Sequence, residues 1–144
     1  MDPRAVYAAI GEKAFHRLTA AFYQGVASDP LLRPMYPDEE LESARRRLAL
    51  FLMQFFGGPP NYSLQRGHPR LRMRHLPFPI DQAARDAWMT HMRAALDGLD
   101  LPADVHAAML GYFEDASTFL INQAEAPRRR AVETPEGLQG RPSS

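Results

Sequence analysis

The chain has 144 residues, 17 basic and 17 acidic side chains and a formal net charge of zero. This length suits one domain with a sizeable core, and the balanced charge gives no general attraction to nucleic acid or membrane. The lack of Cys excludes disulfides, thiolate metal sites and cysteine nucleophiles, no apolar run reaches the ~20 residues that span a bilayer, and no secretion signal is evident, so a cytoplasmic protein is expected.

Pro3 to Ala9 reads as a short opening helix that Gly11 interrupts. From Glu12 to Ala27 the apolar residues Phe15, Leu18, Phe22 and Val26 recur at spacings of three and four, the pattern of an amphipathic helix. Tyr23 falls on the inner face beside Phe22, where its ring can pack and its hydroxyl can enter a pocket. Ser28 to Pro37 is a proline-punctuated connection whose Leu31, Leu32, Met35 and Tyr36 are too apolar for a solvated loop. A second helix is expected from about Asp38, with acidic residues in its first turns and a buried stripe of Leu41, Ala44, Leu48, Phe51, Leu52 and Phe55. Arg45, Arg46 and Arg47 fan around it and read as a solvated face.

Gly57-Gly58-Pro59-Pro60 stops that helix. A long loop carrying Tyr62 and Arg66 is expected next. Within Gln65 to Asp81, Pro69 can open a helix and Pro77 and Pro79 must close it, leaving about two turns with Leu71 and His75 on one face. Arg66, Arg70, Arg72 and Arg74 surround this imidazole. Such a stretch can offer one neutral nitrogen to a metal and several cations to an acid-bearing ligand, and haem has both an iron and two propionates. The alternative is a surface loop with an incidental His. Asp81 is the expected N-cap of a helix from Gln82 to about Leu99 with inner residues Ala84, Trp88, Met92 and Ala95. Pro102 opens a last helix to about Asn122, with Val105, Met109, Tyr112, Phe113, Ala116 and Leu120 on its apolar face. From Ala124 onward the composition favours a disordered tail, so the expected organisation is an all-α domain over residues 1–123 and a tail over 124–144.

In Phe22-Tyr23, Met35-Tyr36-Pro37, Phe56-Gly57-Gly58-Pro59, the run from Tyr62 to His75 and Asp86-Ala87-Trp88, the chain resembles the group II truncated haemoglobins. The resemblance covers Tyr7 to Asn122. It implies a two-over-two helical sandwich around haem b, with His75 as the proximal iron ligand. It further implies Tyr23, Tyr36 and Trp88 on the distal side, Ala44 and Leu48 on the helix above the haem, and Tyr62 and Arg66 at the propionates, with Arg74 or His68 as further contacts. The family often has Gly-Gly between its first two helices where this chain has Ile10-Gly11.

On this reading the ligands are dioxygen, carbon monoxide and nitric oxide, with no nucleic acid and no membrane involved. Three hydrogen-bond donors around one gas favour tight retention. That suits conversion of nitric oxide or peroxide, with a separate reductase supplying electrons, more than oxygen transport. The alternative class is a haem-based gas sensor or redox partner acting through another protein, with the Arg128-Arg129-Arg130 tail as its one supporting feature. A homodimer is one assembly consistent with this reading.

Overall fold

A computed structural model describes residues 1–36 and 41–124. Among them every regular element is helical: α1 Val6–Ala27, α2 Leu41–Phe55, α3 Asn61–Arg66, α4 Leu71–His75, α5 Gln82–Asp97 and α6 Ala103–Phe119, with 3-10 turns at Pro3–Ala5 and Arg33–Met35. None of the helices is long and apolar enough to cross a membrane. The expected start of α2 at Asp38 lies outside the described residues, as does the tail beyond Ala124.

The four long helices pack as two pairs: α1 lies against α2 and α5, and α5 against α6. This is the two-over-two arrangement. The spacing of apolar residues explains it. Phe15, Leu18, Phe22 and Val26 of α1 are fully buried, and they meet Ala49 and Leu52 of α2, Met89, Met92 and Leu96 of α5, and Met109 and Phe113 of α6 in one core. Asp81 caps α5 as expected: its Oδ1 accepts from the Ala84 amide at 2.9 Å, and the residue is itself fully buried. Gly11 breaks the helical path within α1 with φ 81° and ψ 171°, a conformation that glycine alone adopts readily.

The helices and their ends depart from the sequence expectations in several places. The loop after α2 contains α3, which gathers Tyr62 inward. Pro69 does not open α4, because Arg70 between them is left-handed with φ 48°. On α2, Phe55 is 37% exposed while Ala49 and Met53 are buried; Phe55 turns instead to stack on Tyr112 at 4.1 Å. Finally, α6 ends at Phe119, because the Asn122 amide donates to the Ile80 carbonyl (2.8 Å) rather than continuing the helix.

Candidate functional site

Three polar aromatic side chains converge from three separate elements. Tyr23 projects from the inner face of α1, Tyr36 follows the turn at Arg33–Met35, and Trp88 comes from α5. The Tyr23 and Tyr36 rings meet edge to face at 5.5 Å, and Phe22 contacts both Tyr23 (4.9 Å) and Trp88 (5.0 Å). The Tyr36 hydroxyl is within hydrogen-bonding reach of both the Tyr23 hydroxyl and the Trp88 indole. Burial pushes the Tyr23 phenol well above its ordinary pKa; the neighbouring Tyr36 adds to this and the charge of Arg47 opposes it. Burial also raises Tyr36, against the hydrogen-bonding influence of Tyr23 and Trp88. Both phenols therefore keep their protons through the neutral range and can donate. Trp88, read from sequence as an inner residue, is only half-buried, while Met89 beside it fills the core.

His75 ends α4. Its Nδ1 lies 2.6 Å from the Leu71 carbonyl oxygen, an acceptor, so Nδ1 is the donor and Nε2 is the nitrogen left to serve as a ligand. The end of α6 holds this short helix in place. The Asn122 Nδ2 donates to the carbonyls of His75 (3.4 Å) and Phe78 (2.9 Å), and its Oδ1 accepts from the Ile80 amide (3.0 Å). The Arg72 guanidinium also donates to the Phe119 carbonyl.

Tyr62 is buried against Phe51 at 5.5 Å. The guanidinium groups of Arg66 and Arg74 each stand 6.0 Å from its ring. Arg66 is exposed, whereas Arg74 braces the loop by donating to the carbonyls of Pro69 (2.7 Å) and Arg66 (2.9 Å). His68 lies in the same loop and accepts from the Arg70 amide. From Ser43 to Ile80 the chain holds seven Arg and no acidic residue, so this segment is strongly cationic although the whole chain is neutral. Ala44 of α2 is buried and Leu48 one turn later is half-buried.

These features suit the haem that the resemblance implies. A neutral imidazole with a free Nε2 is a proper donor for haem iron. The arginines match carboxylates. Beside His75 the protein leaves Met73 (53%), Leu76 (58%) and Phe78 (38%) exposed as apolar surface.

Two residues were missed by sequence reasoning. The arginine triplet of α2 is not a solvated face: Arg45 reaches back to Thr19 (3.4 Å) while pairing with Glu42 (2.7 Å), and the half-buried Arg47 acts on the Tyr23 phenol. Three consecutive cations carried no signal for this, because only the packing of α1 on α2 selects which of them turns inward.

A family model described as bacterial-like globin matches residues 5–122. The group 2 truncated hemoglobin YjbI of Bacillus subtilis is 43% identical over 125 residues, covering 87% of this chain and 94% of that protein. Among solved structures, the thermostable hemoglobin of the actinobacterium Thermobifida fusca superposes with a TM-score of 0.81 at 54% identity, over 83% of this chain and 98% of the other. The truncated oxygen-avid haemoglobin of B. subtilis gives 0.78 at 41% identity, over 81% and 98%.

Proposed function

The chain belongs to the bacterial-like globin family as a group II truncated haemoglobin, with haem iron as cofactor and dioxygen and other small gases as ligands; from that premise we propose that it performs redox chemistry on a retained gas rather than delivering oxygen. The haem iron, when bound, supplies an open position that takes a gas and passes electron density to it. His75 would hold the iron through Nε2, its Nδ1 being engaged with the Leu71 carbonyl. Ala44 and Leu48 of α2 would line the haem site, and Arg66 and Tyr62 would meet its carboxylates.

The observation that carries the reading is the convergence of Tyr23, Tyr36 and Trp88. Each carries an O–H or N–H that an electron-rich gas atom could accept, although Tyr23 and Trp88 donate to the Tyr36 hydroxyl in this structure, and burial keeps both phenols protonated. A hydrogen bond to a charged acceptor contributes about 1.5–3 kcal/mol, so retention is strong and unloading slow. The oxygen avidity of the B. subtilis relative supports the same view.

Slow release disfavours transport and favours reaction in place. Nitric oxide, dioxygen and one electron give nitrate; hydrogen peroxide, two electrons and two protons give two waters. The electrons come from a separate reductase. The test is to mix the oxygenated protein with nitric oxide in a stopped-flow instrument and assay nitrate. Stoichiometric nitrate formed faster than spontaneous dioxygen release supports the proposal. Release of dioxygen without nitrate, together with no peroxide consumption, returns the protein to storage or sensing.

A further inference from the structure

Tyr36 lies on a connection rather than on a long helix, so something outside its own backbone must fix its position. The connection is held by Asp29. One carboxylate oxygen of Asp29 accepts from the amides of Leu31 (2.8 Å) and Leu32 (3.2 Å), and its main-chain carbonyl accepts from the Arg33 amide (2.8 Å). The Arg33 guanidinium in turn donates to the Tyr36 carbonyl at 2.6 Å. Leu32, 2% exposed, anchors the turn in the core.

The second Asp29 oxygen, Oδ2, points across to α5 and lies 2.6 Å from His91 Nε2. His91 is a half-buried residue of α5. It stands three positions after Trp88, so α5 carries both groups on one rigid element. Gly25 of α1 makes room for the imidazole: a Cβ there would fall on His91 Nδ1 and lie 3.0 Å from its Cγ. The ring is thus wedged between α1 and the connection. Burial works against ionisation of Asp29, yet the hydrogen bond from His91 and those from Leu31 and Leu32 outweigh it, so its pKa falls below the usual carboxylate value. The carboxylate is charged whenever the protein is near neutrality and can hold His91 throughout.

We infer that His91 and Asp29 form a clasp that positions Tyr36 against Trp88. The clasp joins the helix bearing Trp88 to the connection bearing Tyr36 and so sets the geometry of two of the three groups facing the gas. Its effect on gas binding rests on the role proposed for Tyr36 and Trp88; the clasp itself does not.

The test uses the haem-loaded protein saturated with carbon monoxide. Trp88 is the one tryptophan, so its indole N–H gives a single nuclear magnetic resonance signal. Tyr36→Phe calibrates how far that signal moves when the tyrosine hydroxyl is lost. His91→Ala should move it toward the Tyr36→Phe position, and Gly25→Ala should do the same by displacing the imidazole. His91→Gln, which retains an N–H donor for Asp29, should restore most of the wild-type signal. Added to Tyr36→Phe, His91→Ala should produce no further shift. In parallel, dioxygen release should accelerate roughly three- to tenfold in His91→Ala, up to one decade of affinity.

The clasp is refuted if His91→Ala lowers the melting temperature but leaves the indole signal in place, or shifts it equally in both backgrounds. If the signal moves as expected while dioxygen release is unchanged, the clasp stands and the gas-stabilising role of Tyr36 fails.

Discussion

His75 Nδ1 and the carbonyl oxygen of Leu71 stand 2.6 Å apart across one turn of a five-residue helix. That bond makes Nδ1 the donor and leaves Nε2 to serve as a ligand. His75→Gly should abolish the five-coordinate ferrous spectrum, and added imidazole should restore it by entering the space left by the side chain. An unaltered spectrum in the variant would place the iron elsewhere.

The three polar aromatic groups predict slow gas release. Tyr23→Phe and Trp88→Phe should each accelerate dioxygen dissociation by about one to two decades, from about 1.5–3 kcal/mol per hydrogen bond to a charged acceptor at about 1.4 kcal/mol per decade. Flash photolysis or stopped-flow replacement by carbon monoxide measures this directly. Unchanged rates in both variants would remove the basis for a retained gas.

Asn122 ties the segment after His75 to the end of α6 through three side-chain hydrogen bonds. Asn122→Ala should cost about 0.5–1.5 kcal/mol for each bond that water does not replace, the net range for an ordinary intramolecular hydrogen bond. It should also speed transfer of haem to an excess of a haem-free acceptor globin. A normal transfer rate despite lower stability would show that the clamp serves the fold alone.

Two glycines should respond differently to alanine. Gly11, at φ 81° with nothing near its missing Cβ, should lose only the backbone cost of order 1–3 kcal/mol. Gly57, at φ 98°, would also drive a Cβ into the Arg4 carbonyl. Urea denaturation should therefore show Gly57→Ala as the more damaging change. Equal losses would mean that the Pro3–Ala5 turn yields easily.

Asp29 gives a dependence on pH with a definite sign. Its pKa is lowered in the fold, so its contribution to stability is fully present above the unfolded carboxylate value, near 3.8, and disappears as pH falls through the lower folded value. Asp29→Asn should thus destabilise the fold near neutrality, and the difference should shrink in acid as the pH falls below the ordinary carboxylate value. A difference that stays undiminished as the pH is taken well below the ordinary carboxylate value would contradict the lowered pKa of Asp29.

The sequence alone determined the four long helices and most of their inward faces. Phe15, Leu18, Phe22 and Val26 repeat at helical spacing, and burial of such a stripe needs no knowledge of the partner. It also marked the C-terminal end of the His75 segment, because Pro77 cannot continue a helix, and it set Asp81 as a cap, because that bond is local. Motif resemblance singled out Tyr23, Tyr36, Trp88 and His75. Tertiary structure decided what depends on residues far apart in the chain. It turned Arg47 toward Tyr23, drew Asn122 out of α6 to the Ile80 carbonyl, folded α3 into an expected loop, and paired His91 with Asp29 across 62 positions. No local pattern encodes these pairings, since each depends on how two helices cross, and crossing is set by the packing of the whole core.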